Sequence, residues 1–295
     1  MKQDIVNSIP EAPEFNRREF LVGSIFAAGT FAFATEPIQA QTRIVTDDKG
    51  LVVGEVKIPV SDGVIPAYRA MPDKKGKKFP TVLVIHEIFG VHEWIQDICR
   101  RYAKLGFIAI APALYARQGE IKDLKDSREI NRSIYSKIPD TQSNSDLDAT
   151  VAWAAKNSGN TKKLSVTGFC WGGRMTWLYA AHNSNVKAGA AWYGRVVPTP
   201  NSPLNTNQPT TPIDYAKTLK VPVLGLYGGM DKGIPLDGVQ RMQDELKKGK
   251  SGSEIIVFPA ADHGFHADYR PSFNKQASED AWSKMLTWFK KHGAM

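Results

Sequence analysis

Cysteine is scarce, with only Cys99 and Cys170 in 295 residues. Four or more at regular spacing would indicate a disulfide scaffold, and four near histidines a structural zinc site. Neither framework can be built here. No apolar run approaches the roughly 20 residues a helix needs to span a bilayer. Zinc-finger spacing and a Lys/Arg stripe are also missing, although 38 Lys+Arg against 30 Asp+Glu give a net charge of +8. The basic residues are scattered. Such an excess favours anionic substrates or surfaces and argues against a dedicated nucleic-acid reader. What is present is ordinary globular chemistry, 42% hydrophobic and 23% charged, enough for a full core.

The N-terminus reads as an address. Residues 16–21 are Asn-Arg-Arg-Glu-Phe-Leu, and the apolar stretch LVGSIFAAGTFAFA runs on to Ala34. Paired arginines before a moderately apolar, small-residue run match a twin-arginine secretion signal over residues 1–34. Cleavage after Ala40 is the alternative, and an uncleaved anchor or surface helix is the plainer reading. Export of this kind predicts a periplasmic protein that meets the twin-arginine machinery and keeps no membrane span once processed. Residues 41–295 then form a single domain.

The rest of the chain alternates strand-like and helix-like runs, as a parallel sheet covered by helices does. Residues 51–59 and 64–70 flank the turn Ser61-Asp62-Gly63 and read as an antiparallel hairpin. Unalternating apolar runs follow at 81–86, 107–111, 164–167, 187–192, 221–227 and 254–258, as buried parallel strands require. Helical patterns lie near 92–105, 121–136, 144–157, 172–182, 236–248 and 275–291. Two strands plus six, with helices from the third strand onward, is the count of an α/β-hydrolase fold. Residues 194–212 carry five prolines and fit neither element. They are a candidate lid, since loops beyond strand carboxyl ends ring the sites of such sheets; a surface excursion is the alternative.

The sharpest chemical signal is Gly168-Phe169-Cys170-Trp171-Gly172-Gly173, set between a strand and a helix. A nucleophile elbow has this form, with small residues that let the helix pack closely on the turn. Serine is usual at its centre. Here it is Cys170, and a helix N-terminus favours the thiolate. Cys99 lies in WIQDICRRYA at core-like spacing and reads as an inert buried thiol. Without a nearby resolving cysteine, a thiol redox role is weak. Asp231 and His263 follow two later strands in the order acid, then base, to orient an imidazole and supply the general base. Asp262, His266 and Asp237 are nearby rivals. After the strand 81–86, His86-Glu87-Ile88-Phe89-Gly90 occupies the loop that commonly gives one oxyanion-hole N–H, with Trp171 the other donor. Glu87 stands close enough to hold the thiol, or is a plain surface carboxylate.

Together HEIFGV (86–91), LYARQ (114–118), GFCWGG (168–173), GGMDKGIP (228–235) and DHGF (262–265) make the chain resemble the dienelactone hydrolase family of α/β-hydrolases. The resemblance runs from about residue 55 to the C-terminus. It implies a Cys170–His263–Asp231 triad, Glu87 contacting the resting thiol, and N–H groups of Ile88 and Trp171 as the oxyanion hole. It also implies an acyl-enzyme route with no metal or organic cofactor, and Arg117 as the binder of a substrate carboxylate. The family places a second arginine four residues after the histidine. Here Ala267 stands there, and Arg270 is either a shifted carboxylate binder or a structural ion-pair partner. The expected substrate is a small ester or lactone, either anionic or neutral. A general carboxylesterase or thioesterase is the runner-up, and a non-catalytic binding protein the reading from another class.

Overall fold

The structure is a computed structural model that describes residues 43–119, 121, 124, 126–199 and 203–295. The arginine pair at 17–18 and the proposed signal lie outside the described residues.

Eight strands form one sheet: β1 (Leu51–Val60), β2 (Gly63–Pro72), β3 (Phe79–Ile85), β4 (Ile108–Pro112), β5 (Gly159–Phe169), β6 (Ala188–Trp192), β7 (Val223–Gly228) and β8 (Glu254–Phe258). Their order across the sheet is β1-β2-β4-β3-β5-β6-β7-β8. The β1–β2 and β2–β4 pairs are antiparallel, and every pair from β4 to β8 is parallel. This is the α/β-hydrolase sheet, with the hairpin at its N-terminal edge. Burial follows position. All residues of the interior strands β4 and β6 are buried, whereas edge strand β1 is mostly half-buried.

Period-two alternation assigns the two faces. On β4, Ile108 and Ile110 join a small apolar cluster with Ala154, while Ala109 and Ala111 join the main core with Ile98 and Tyr102. Ala154 belongs to α3 (Asp140–Lys156), and Ile98 and Tyr102 to α1 (Glu93–Lys104). Helices therefore cover both faces. The remaining helices are α2 (Ser127–Ser133), α4 (Trp171–His182), the one-turn α5 (Pro212–Tyr215), α6 (Leu236–Lys247) and α7 (Lys275–Lys291).

The parallel strands β3, β5, β6, β7 and β8 stand side by side and end on one edge. Residues 86–88, 170, 193–195, 231 and 262–263 all follow those ends. Topology alone thus brings the chemically loaded residues into one row.

Candidate active site

Cys170 caps α4 with φ 55° and ψ −114°, a left-handed-side conformation that non-glycine residues seldom adopt. The glycines around it make the sharp turn sterically feasible. A Cβ on Gly172 would lie 2.3 Å from the carbonyl oxygen of Ile85, and one on Gly168 2.2 Å from that of Gly172. Side chains at either position would push α4 off β3 and open the turn. The close fit sets the first turn of α4 against the loop after β3, so Ile88 and Trp171 line one cavity with Cys170. As the first helical residue, Trp171 has a backbone N–H without an intrahelical acceptor.

Asp231 is held rigidly. Its Oδ1 accepts the N–H groups of Gly233 (2.8 Å) and Ile234 (3.1 Å). Its Oδ2 accepts the Nδ1–H of His263 at 2.7 Å. The N–H of Met230 donates to the Ala261 carbonyl, tying the acid loop to the histidine loop. With Nδ1 bound to Asp231, the other ring nitrogen is the one left for Cys170. Burial works against the imidazolium, but Cys170 and Asp231 outweigh it and raise the His263 pKa to about 10.

The cavity has a volume of about 490 Å³ and is lined by Cys170, Asp231, His263, Ile88 and Trp171 together with Tyr193. Tyr193 is also at positive φ (36°), is fully buried and sets its ring edge-on to His263 at 5.2 Å. Its hydroxyl has no hydrogen-bond partner. Arg128, Arg174, Arg195 and Lys232 complete a strongly basic wall. Among the described residues, no three His, Cys, Asp or Glu side chains group as metal ligands would.

Residues 65–293 match the family model described as "Dienelactone hydrolase family". A protein of Methylorubrum extorquens named "Putative carboxymethylenebutenolidase" is 52% identical over 278 residues, covering 94% of this chain and 93% of that one. A protein of Escherichia coli K12 with the same name is 47% identical over 89% of this chain and 95% of its own. The chain belongs to the dienelactone hydrolase family. A solved Klebsiella pneumoniae structure, described as a putative dienelactone hydrolase, has a TM-score of 0.79 at 46% identity, covering 82% of this chain and 99% of that one. The more distant Pyrococcus horikoshii acylaminoacyl peptidase shares the fold alone, with a TM-score of 0.64 at 16% identity over 82% of this chain and 42% of the peptidase. As a member of the dienelactone hydrolase family, the protein is an enzyme, a hydrolase of esters or lactones.

Two expectations for this dienelactone hydrolase relative need correction, those for Arg117 and Glu87, and the geometry favours one of the two alternatives left open for Arg270. Arg117 is not at the cavity. It turns to Asp62, 2.9 Å away, and to Asp146, so its charge is already matched. Arg270 takes the structural role: its Nη2 lies 3.2 Å from Glu87 Oε1, and its guanidinium stacks 5.0 Å over the Phe89 ring. Glu87 in turn directs its carboxylate to Arg270, to the Tyr269 hydroxyl at 2.6 Å and toward His92 at 3.5 Å. These contacts replace the bond to the Cys170 thiol expected from sequence. Burial opposes the Glu87 charge, yet Arg270, His92 and Tyr269 hold its pKa down to about 2.

Sequence reasoning missed the support beneath the loop. His86 is fully buried, and burial pushes its pKa down to about 4, so the ring is neutral. Its Nδ1–H donates to the Glu87 carbonyl (2.8 Å), its Nε2 accepts the Leu114 N–H (3.2 Å), and its ring stacks on Trp171. The available signal was position alone: His86 opens the HEIFGV motif. Of the proline-rich segment, Thr199 and Gln208 line the cavity, and residues within the described stretch 203–212 bond to the rest of the domain. Arg174 donates to the Thr210 carbonyl, and Gln208 to those of Tyr135 and Ile138.

Proposed function

We propose that the enzyme opens an ester or lactone bond through Cys170, with His263 as proton carrier and Asp231 as its anchor. In this reading the Cys170 thiolate attacks the carbonyl carbon. An S–C bond forms, the C–O bond breaks, and the departing oxygen takes the proton of the His263 imidazolium. Water then attacks the thioester, giving its proton back to His263 and releasing the acid and the thiolate. Ile88 and Trp171 N–H groups bind the oxyanion in both steps, each contributing about 3 kcal/mol to the barrier reduction. Asp231 keeps the imidazole in the tautomer that faces sulfur.

The observation that carries this reading is the line Asp231–His263–Cys170 at the mouth of a strained strand-to-helix turn. The relatives' shared name, carboxymethylenebutenolidase, suggests a lactone bearing a carboxylate. The test is hydrolysis of a dienelactone and of a neutral p-nitrophenyl ester by wild type and Cys170→Ala. We expect turnover in wild type and a loss of roughly 10⁴-fold or more in the variant. Retained turnover in a folded variant would reject the nucleophile.

We also propose that Arg17 and Arg18 direct export to the periplasm. The reading is supported by the arginine pair and the 14-residue apolar stretch after it. Changing both to Lys should trap the protein in the cytoplasm, and unchanged export would reject this route.

A further inference from the structure

The Glu87 carbonyl, in the loop after β3, accepts three donors: His86 Nδ1–H at 2.8 Å, the Tyr135 hydroxyl at 3.2 Å and the Gly90 N–H at 3.2 Å. The last of these closes a four-residue turn over 87–90, which ends at the positive φ of Gly90 (74°). That carbonyl shares one peptide unit with the N–H of Ile88. The unit is trans, so its C=O and N–H point in opposite directions. Donors gathered on the oxygen side fix the peptide plane. They turn the Ile88 N–H away from the buried His86 ring, toward the cavity that Ile88 lines. They also polarise the peptide, which strengthens that N–H as a donor.

The His86 ring holds this arrangement in one form only. The Leu114 N–H at 3.2 Å can only donate, so Nε2 is bare and the proton is on Nδ1. An imidazolium would set two N–H groups against each other, and burial, which pushes the His86 pKa to about 4, disfavours it. Trp171 stacks on the ring at 5.6 Å and 13°, while Tyr115 and Tyr135 meet it edge-on at 5.4 and 6.0 Å. The elbow closes against the same residue: a Cβ on Gly172 would lie 2.6 Å from the His86 carbonyl oxygen. One buried imidazole therefore touches both residues assigned to the oxyanion hole, the Ile88 peptide through its carbonyl and Trp171 through its ring.

We propose that His86, with Tyr135 beside it, is a positioning residue for the oxyanion hole. It fixes the 87–88 peptide so that the Ile88 N–H meets the charge developing on the substrate oxygen. The inference rests on the reading of Cys170 as nucleophile, since attack at a carbonyl carbon creates that charge. His86 is fully buried and acts only through the peptide it holds.

Chemistry at Cys170 that makes no oxyanion should therefore ignore His86. Phenyl trifluoromethyl ketone adds reversibly to the thiolate: an S–C bond forms, the C=O π pair moves to oxygen, and nothing leaves. Its oxyanion reads the hole. Iodoacetamide alkylates the same sulfur by expelling iodide and leaves no charge on oxygen, with buried Cys99 as the unreactive control. In His86→Leu, kcat and affinity for the ketone should each fall about 100-fold, the scale of one lost oxyanion donor. KM and the alkylation rate should stay within about twofold. His86→Asn, whose side-chain amide can replace the Nδ1–H, should recover most of the loss. Tyr135→Phe keeps the ring and removes one donor, so both readouts should fall about three- to tenfold. It tests the assignment even where His86→Leu fails to fold. Ketone affinity unchanged in the folded variants, or alkylation slowed as much as kcat, would overturn the assignment and leave His86 a packing residue. A wild-type enzyme that forms no ketone adduct would instead reject the Cys170 reading, and the assignment with it.

Discussion

His263 and His266 lie three residues apart on the loop after β8, one facing the cavity and one facing the core. His263 has Asp231 at 2.7 Å and Cys170 on its other side, and its pKa is raised to about 10. His266 is stacked on Trp192 at 4.3 Å and on Trp282 at 5.4 Å, with Ser278 Oγ at 2.7 Å from Nδ1. Burial first, then the Arg101 charge, push its pKa well below the ordinary histidine value. His266 is buried, while 30% of the His263 side chain is exposed, but exposure alone would only return an imidazole to its ordinary pKa, not raise it. The difference is the counter-charge: the cavity side supplies anions to the ring and the core side supplies aromatic faces. A histidine's role here is set by its neighbours rather than by its sequence motif.

The comparison breaks most visibly under glutamine. His263→Gln should lower kcat by roughly 10⁴-fold, since no other group at the cavity carries the proton. His266→Gln should leave kcat near wild type and cost about 1–3 kcal/mol of stability through lost ring packing. The pH dependence should also diverge. The imidazolium of His263 stabilises fully below pH 6.5 and loses that contribution as the pH rises through about 10. His266 stays neutral when folded, so its share of stability is lost as pH falls below 6.5, where the unfolded histidine takes up a proton. Denaturant titrations from pH 5 to 10 on both variants would show it. An equal kinetic loss in the two variants would sink the distinction.

A smaller effect is expected at Glu87, a second buried charge kept by its partners. Arg270→Gln removes the cation that most favours the carboxylate and should destabilise the fold by about 3–5 kcal/mol, the usual result of leaving half a buried pair. The wild-type contribution of Glu87 is present above pH 4.5 and is lost as pH falls toward 2. The variant should therefore be less stable at neutrality yet show a weaker acid-side decline. A midpoint unchanged at pH 7 would mean that the pair contributes nothing net.

Local sequence carried the fold and the position of the candidate site far better than the charge partners. The elbow was legible because Gly168, Cys170 and Gly172 lie within five residues between a strand and a helix. Asp231 and His263 were legible because the topology puts successive strand ends on one edge. Boundaries shifted where pairing or capping intervened. β5 begins at Gly159 rather than 164 because Gly159 continues the ladder with Phe79 past a bulge at Pro80/Thr81. The helix expected over 121–136 shortens to Ser127–Ser133, capped by Asp126, which accepts the N–H groups of Arg128 and Glu129. Arg117 misled because Asp62 and Asp146 stand 55 and 29 residues away. The partners of Glu87, Tyr269 and Arg270, lie 182 and 183 residues distant. No local pattern encodes pairs so far apart, and only the folded sheet brings them together.

The smallest effect should come from Tyr193, the aromatic neighbour that touches His263 through its edge. A fully buried hydroxyl with no partner costs roughly 1–3 kcal/mol in desolvation. Positive φ at a bulky residue adds strain. Packing alone would favour phenylalanine, which keeps the ring and discards the orphan oxygen. If the hydroxyl instead meets substrate at the cavity, Tyr193→Phe should raise stability by about 1 kcal/mol and lower kcat/KM by about three- to tenfold. Thermal unfolding and steady-state kinetics on one preparation decide between them. A gain in stability with unchanged kcat/KM would make the hydroxyl a bystander and leave the ring, through its contact with His263, as the only part of Tyr193 that distinguishes the cavity side from the core side.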